Sequence, residues 1–135
     1  MDWKIEVVTL PVADQERAKR FYADQLGFHV DIDHPVSDDF RMLQLTPPGS
    51  GCSIHLGGTS MPPGSLESLF LVVPDVTAAR SQLVERGVEV SEVKVYDSGD
   101  YRTAVEGDDL DLVGCVFLSD PDGNRWTVQQ IPPRG

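Results

Sequence analysis

The chain contains an internal repeat of a strand, a short helix and a second strand. In the first copy an apolar segment at residues 7–12 precedes a helical segment at 14–25, and Gly27 leads into residues 28–30. The same order returns about 60 residues later, at 69–73, 75–86 and 88–90, with Gly87 after the helical segment. Self-similarity at one offset indicates a duplicated structural unit, which restricts the possible folds sharply.

Each copy continues with further alternating apolar segments that predict strands. Asp14 is a suitable N-cap for the first helix, and Gly27 and Gly87 end the two helices. Residues 57–64 are rich in Gly, Ser, Thr and Pro, which is typical of a linker. Each copy is therefore predicted to be a βαβββ module.

We expect an α+β fold in which two tandem βαβββ modules form a curved, mostly antiparallel eight-stranded sheet around a concave cavity, because one module cannot bury both faces of its sheet. By its length the chain is a single domain, residues 1–135. Module one is expected at about 1–56, the linker at about 57–66 and module two at about 67–133.

The second copy holds a polar, irregular segment at residues 97–111. It is long enough to be a functional loop rather than a tight connection. Tyr101 and Arg102 lie in it, and we expect them to form a lid over a ligand, because loops near the mouth of a cavity often carry function.

The charge of the chain excludes several classes of partner. The formal net charge is −11 and the pI is about 4.4. Nucleic acids and anionic membrane surfaces require clustered Lys and Arg, so neither is expected as a partner. The acidity serves solubility or, alternatively, attracts cationic ligands.

Cysteine usage and the N-terminus predict a cytoplasmic protein. Cys52 and Cys115 have neither the spacing of a metal site nor the density of a secreted disulfide scaffold, which indicates free thiols. The first residues lack the basic-then-apolar pattern of a signal peptide, and no apolar run is long enough to span a bilayer.

Several short motifs resemble the vicinal oxygen chelate superfamily, which includes glyoxalase I, extradiol dioxygenases and bleomycin-resistance proteins. The matching stretches are Leu-Pro-Val-Ala-Asp at 10–14, Phe-Tyr at 21–22, Leu-Gly-Phe at 26–28, Val-Pro-Asp-Val at 73–76 and Asp-Pro-Asp-Gly-Asn-Arg-Trp at 120–126. They occur in the right order over nearly the whole chain. The resemblance also implies a homodimer, in which each cavity is built by two chains.

The metalloenzymes of that superfamily hold a metal with His and Glu from four strand positions. By motif these positions correspond here to Val7, His55, Ser68 and Thr127. Only His55 is a good metal ligand, because Val7 has no donor atom and hydroxyl groups bind weakly without carboxylate or imidazole partners. We therefore expect neither a metal nor another cofactor.

Strand parity predicts the side chains that line the cavity. If His55 faces inward, alternate residues on the neighbouring strands share its face. The expected ligand-binding residues are Thr9, Phe40, Met42, Gln44, His55, Phe70, Tyr101, Arg102, Cys115, Phe117, Thr127 and Gln129. This wall is mostly apolar and aromatic, which suits a bulky organic molecule held by stacking and a few hydrogen bonds.

The leading hypothesis is a metal-independent binding protein of the bleomycin-resistance type that sequesters an antibiotic or another bulky natural product. The alternative is an enzyme, a glyoxalase-like lyase, isomerase or dioxygenase, with either an atypical metal site or His55 as its acid/base catalyst. A domain whose pocket has lost its function is a third possibility. The chain has no nucleophile elbow, phosphate loop or dinucleotide fingerprint.

Overall fold

The structure is a computed structural model that describes residues 1–133. Its contacts divide the chain into two compact units. The first comprises Met1–Leu66 together with Asp120–Asn124, and the second comprises Glu67–Ser119 together with the chain from Arg125 onward. Each unit has its own sheet and its own α-helix.

The first unit is built on a four-stranded sheet. Its strands are β1 (Val7–Leu10), β2 (His29–Pro35), β3 (Arg41–Thr46) and β4 (Ser53–Leu56). They lie in the order β1-β4-β3-β2. The β1–β4 pair is parallel and the other two pairs are antiparallel.

One helix covers this sheet. Helix α1 (Gln15–Arg20) begins at Asp14, whose side chain accepts a hydrogen bond of 3.0 Å from the backbone N–H of Arg17. It continues directly into a π-helical turn, Phe21–Gln25. The chain buries Ala18, Phe21 and Tyr22 on this helix, together with Leu10, Leu43, Leu45, Ile54 and Leu56 on the strands. These apolar side chains form the hydrophobic core of the first unit.

The segment Asp120–Asn124 completes the first unit, although it follows the fourth strand of the second copy in sequence. Asn124 is fully buried, and its side-chain N–H₂ donates to the carbonyl of Pro11 at 3.0 Å and to the Asp120 carboxylate at 2.8 Å. The Asn124 side-chain oxygen accepts from the Leu66 N–H at 3.1 Å. One buried amide therefore connects three distant parts of the chain.

The second unit is built on a five-stranded sheet. Its strands are β5 (Leu69–Val73), β6 (Lys94–Asp97), β7 (Asp100–Thr103), β8 (Gly114–Ser119) and β9 (Arg125–Gln130). They lie in the order β5-β9-β8-β6-β7, with β5 and β9 parallel. Helix α2 (Val76–Glu85), capped by Asp75, buries Val76 and Leu83 in the same unit as the buried Val116, Trp126 and Val128.

The α+β class and the repeated frame agree with the sequence prediction, but the expectation of one sheet of eight strands does not. Residues 1–133 contain nine strands, in sheets of four and five. The additional strand is β7, which lies within the segment predicted to be an irregular loop. Ser98 and Gly99 both have positive φ, +55° and +92°, so they form a two-residue turn that matches the twist of a β-hairpin.

Two smaller differences concern the prediction along the chain. The strand predicted from residue 88 after Gly87 is reduced to a single bridge between Val90 and Leu118, and regular pairing begins only at Lys94 in β6. The end of the first helix is π-helical, which the apolar periodicity did not indicate. Within the described part of the chain, no helix is long and apolar enough to cross a membrane.

Candidate functional site

A pocket of about 250 Å³ lies on the face of the five-stranded sheet opposite the buried Val116, Trp126 and Val128. The strand register explains which side chains meet there. Phe70 pairs with Thr127, which pairs in turn with Phe117, and Gln129 pairs with Cys115. The pocket is lined by Phe70, Tyr96, Tyr101, Leu112, Val113, Cys115, Thr127 and Gln129.

Tyr96 and Tyr101 are lining residues whose rings touch each other, and Tyr101 also touches the ring of Phe117, which was predicted to bind the ligand but is not a lining residue. The ring of Tyr101 meets the ring of Tyr96 at a centroid distance of 5.2 Å and an interplanar angle of 68°. It also meets the ring of Phe117 at 5.1 Å and 87°. Edge-to-face geometry of this kind is favourable for aromatic rings. Tyr96 and Tyr101 are nevertheless about half exposed, at 49% and 46%, so they can also contact a ligand.

The polar groups of the pocket are few and uncharged. Gln129 donates from its side-chain N–H₂ to the carbonyl of Leu112 at 2.7 Å. Burial raises the pKa of the Cys115 thiol, and burial is also the main cause of the raised pKa of Tyr101. Both groups are therefore protonated at neutral pH. Among residues 1–133, the hydroxyl of Thr127 has no hydrogen-bond partner.

His55 lies in the first unit, in a polar row across three strands. Thr9 and Gln44 are its register partners on either side. The Nε2 atom of His55 lies 3.2 Å from the side-chain oxygen of Gln44, so that nitrogen carries a proton when the bond forms. This contact orients the imidazole.

The other two predicted residues of the first unit lie on or beside β3. Phe40 is half-buried, and a Cβ placed on Gly58 would lie 3.1 Å from the tip of its ring. Met42 shares a face of β3 with Gln44 and is 37% exposed.

Arg102 is placed differently from the lid position expected of it. It follows Tyr101 in β7, so its side chain leaves the opposite face of the strand. Its guanidinium binds Asp108 through two hydrogen bonds of 2.9 Å and binds Asp97 at 3.1 Å. Arg102 is absent from the pocket lining, whereas Tyr101 belongs to it.

Three lining residues were not predicted from the sequence: Tyr96, Leu112 and Val113. Tyr96 could have been found from the Tyr-Asp-Ser-Gly-Asp-Tyr pattern, because a two-residue turn at Ser98-Gly99 places the two tyrosines opposite each other. Leu112 has φ of +69°, which is rare for a large side chain and is held by a hydrogen bond from its N–H to Gln130. No sequence signal indicates that conformation.

The described residues do not fit a metal centre. Of the four positions to which the family resemblance assigns metal ligands, only His55 has a strong donor. Between residues 1 and 133, no group of three or more His, Cys, Asp or Glu side chains is arranged to hold a metal ion.

Comparison with known proteins identifies the family. The sequence profile of the Glyoxalase/Bleomycin resistance protein/Dioxygenase superfamily matches residues 4–128. The chain belongs to this superfamily. A common fold does not determine the reaction or the ligand.

Within the superfamily, two solved structures from Streptomyces sp. CB03234 are similar to this chain. One is TnmS3, an antibiotic binding protein, with 33% identity, a TM-score of 0.73 and coverage of 96% of this chain and 97% of the other. The second is a glyoxalase/bleomycin resistance protein with 34% identity, a TM-score of 0.71 and coverage of 94% and 100%. YetH of Bacillus subtilis (strain 168) is 27% identical over 89 residues, which are 64% of this chain and 74% of YetH.

Proposed function

We propose that this protein binds a bulky, partly aromatic organic molecule without a metal ion, and that it sequesters an antibiotic or a related natural product. The observation that carries the proposal is the aromatic pocket of the second unit. The similarity of the chain to TnmS3, an antibiotic binding protein, supports an antibiotic as the class of ligand.

The wall of the pocket favours a flat, apolar ligand. Phe70 is 59% exposed, so its ring surface is available to a bound molecule, as are those of Tyr96 and Tyr101. Burial of apolar surface contributes roughly 25 cal/mol per Å². A ligand ring that covers these side chains would therefore gain affinity from apolar burial and from ring-to-ring contact.

The charge of the pocket favours a neutral or cationic ligand. No Lys or Arg is among the lining residues, and the Cys115 thiol is protonated because burial raises its pKa. An anion would find no countercharge there, and the net charge of −11 would repel it at long range.

The hydrogen-bonding groups favour a ligand that carries both donors and acceptors. The Thr127 hydroxyl can donate or accept. Gln129 uses its N–H₂ group on Leu112, so its side-chain oxygen is left as an acceptor within the described residues. These two side chains would orient a ligand whose apolar part rests on the rings.

The pocket of one chain is small for a bulky ligand, which favours a site completed by a second chain. About 250 Å³ is just below the range of roughly 300–1,000 Å³ for small-molecule sites. The pocket therefore accommodates one part of a bulky ligand. The homodimer implied by the family resemblance is part of the proposal, with the remaining ligand surface covered by the second chain.

The proposal is tested by screening the purified protein against a panel of antibiotics and aromatic natural products, with thermal shift as the first readout. We expect at least one compound to raise the melting temperature equally with and without EDTA, because binding to the folded state alone stabilises it. Mass spectrometry should recover that compound unchanged, and light scattering should report a dimer.

Matched variants then locate the binding site. Phe70→Ala should weaken affinity about tenfold, corresponding to the loss of one large aromatic contact. Val72→Ala is the control, because Val72 is 61% exposed on the same face of the same strand but is not a lining residue. Equal effects of the two substitutions would contradict binding in this pocket.

The enzyme alternative gives a different set of results. A dependence of binding on a divalent cation, or recovery of a chemically altered compound, would overturn the proposal. A His55→Ala variant that binds normally but no longer converts the compound would then assign acid/base catalysis to His55.

A further inference from the structure

Tyr101 is the pocket residue carried by the edge strand of the five-stranded sheet. Its ring stands between those of Tyr96 and Phe117, at centroid distances of 5.2 Å and 5.1 Å. The strand that carries it, β7, is the last strand of the sheet and pairs only with β6. All four residues of β7 are exposed, so no buried apolar side chain anchors this strand.

An edge strand without buried side chains opens readily, because only backbone hydrogen bonds and surface contacts hold it. The position of Tyr101 thus requires another anchor. The residue immediately after Tyr101, on the opposite face of β7, is Arg102.

Arg102 connects β7 to the chain on both sides of it. Its Nη1 and Nη2 atoms donate to the two carboxylate oxygens of Asp108 at 2.9 Å each, and Nε donates to Asp97 at 3.1 Å. Asp108 also accepts from the N–H of Val105 at 2.8 Å, and its side chain is only 17% exposed. A bidentate pair is more rigid than an ordinary surface ion pair when its carboxylate also accepts a backbone hydrogen bond, as Asp108 does here.

We propose that Arg102 is a positioning residue: by holding β7 between Asp97 and Asp108, it keeps the ring of Tyr101 against Phe117 as a fixed wall of the ligand pocket. Its contribution to binding rests on the proposed function, whereas its effect on Tyr101 does not. Arg102 itself is absent from the pocket lining and acts only through the strand.

The register supplies a readout that needs no ligand. Tyr101 pairs with Tyr96, whose N–H donates to Val113, so the backbone of Tyr101 lies in the same row as Val113. Phe117 in β8 follows Val113 by four residues, and Cys115 lies halfway between Val113 and Phe117. The backbone of Tyr101 lies level with Val113, and its ring reaches Phe117. The ring therefore passes over the row of the sheet that contains Cys115. Loosening Tyr101 should therefore expose the Cys115 thiol, which is now 3% exposed.

The experiment measures alkylation of Cys115 by N-ethylmaleimide near neutral pH, in a Cys52→Ser background where Cys115 is the only cysteine. We expect Arg102→Ala to react roughly fivefold faster than the parent protein, as local opening of the edge strand becomes more frequent. Tyr101→Ala sets the upper limit of the rate. Arg125→Ala is the matched control, because Arg125 is exposed and makes no ion pair within the described residues.

A second substitution separates positioning from general destabilisation. Asp108→Asn should also raise the alkylation rate, and the double variant should react no faster than Arg102→Ala alone, because Arg102→Ala already removes the pair with Asp108 together with the bond to Asp97. The free energy of global unfolding from urea denaturation should fall by no more than the equivalent of that fivefold effect, about 1 kcal/mol, in all three. Additive rates, or an alkylation rate unchanged by Arg102→Ala, would overturn the proposal.

Binding of N-phenylnaphthylamine, a neutral aromatic fluorophore, links the strand to the pocket. We expect Arg102→Ala to weaken its binding roughly threefold to tenfold while Arg125→Ala leaves it unchanged, because a mobile wall lowers the population of the binding-competent pocket. Faster alkylation with unchanged fluorophore affinity would contradict a role in ligand binding. Failure of the parent protein to bind the fluorophore or any screened compound would count against the proposed function, while the alkylation rates would still decide the role of Arg102.

Discussion

The hydroxyl of Tyr22 donates a hydrogen bond of 2.7 Å to the carboxylate of Asp120, 98 residues further along the chain. Both residues are buried in the first unit. Asp120 accepts four further hydrogen bonds, from the backbone N–H groups of residues 122, 123 and 124 and from the Asn124 side chain. Tyr22, at the end of the first helix, thus binds the turn at residues 120–124 through the same carboxylate that already accepts the backbone N–H groups of that turn.

Tyr22→Phe is expected to lower the free energy of unfolding by about 1–2 kcal/mol, because a buried carboxylate loses one donor while its others remain. Urea denaturation followed by circular dichroism measures the change. Tyr96→Phe is the matched control, since the Tyr96 hydroxyl belongs to a half-exposed ring and has no hydrogen-bond partner within residues 1–133. Similar losses in both variants would mean that the Tyr22 bond contributes nothing specific.

Any side chain at Gly64 is expected to be destabilising, because it would clash with the backbone of Asp122 in addition to requiring a left-handed backbone angle. Its φ is +77°, and a Cβ there would lie 2.0 Å from the carbonyl oxygen of Asp122. Gly49 has nearly the same φ, +80°, with nothing within 4 Å of its added Cβ. Gly49→Ala should therefore cost only the left-handed penalty of roughly 1–2 kcal/mol.

Gly64→Ala should cost roughly 1–3 kcal/mol more than Gly49→Ala, because the clash forces the backbone of residues 120–124 to move. Comparison of the two thermal unfolding midpoints checks the difference. Equal midpoints would show that the Asp120–Asn124 segment yields easily, contrary to its dense hydrogen bonding.

The pairing of Arg102 with Asp108 predicts a specific pH dependence. The guanidinium of Arg102 is the main cause that lowers the pKa of Asp108 from 3.8 to about 2. A carboxyl with a depressed pKa in the folded state stabilises the structure above its unfolded pKa, and this contribution is lost as the pH falls through the folded pKa. The stabilisation from this pair should thus be fully present well above pH 4 and be lost progressively as the pH falls through about 2, where half of the folded molecules carry a protonated Asp108.

Carbon-13 NMR titration of the Asp108 carboxyl measures this directly. We expect an apparent pKa near 2 in the parent protein and a clear rise toward the usual 3.8 in Arg102→Ala. A carboxyl of Asp108 that already titrates at its usual value in the parent protein would mean that the pair is not formed in solution.

The repeated frame was predictable because its signals are local. Asp14 and Asp75 cap helices through contacts three residues away, and alternation along a strand assigns Trp126 and Val128 to the buried face wherever the strand pairs. The same parity brings Phe70, Thr127 and Phe117 into one row of the five-stranded sheet.

What the sequence did not reveal depends on contacts between distant residues or on unusual backbone angles. Asn124 stood out in the sequence only as part of the motif at residues 120–126, yet its side chain joins Pro11, Leu66 and Asp120. Arg102 was expected over the pocket, but its two carboxylate partners hold it on the opposite face of β7. Such pairings are chosen by tertiary structure, and residue types alone do not distinguish them.

The two halves of the repeat differ by one strand, and that strand carries Tyr101. Because all four residues of β7 are exposed, substitutions in it leave the hydrophobic core intact. Mutations in this hairpin can therefore change the shape of the pocket while the protein still folds. A duplicated frame that tolerates change in one peripheral strand offers a simple route by which related chains acquire different ligands, and it marks Asp100–Thr103 as the segment to exchange when a new binding preference is to be engineered.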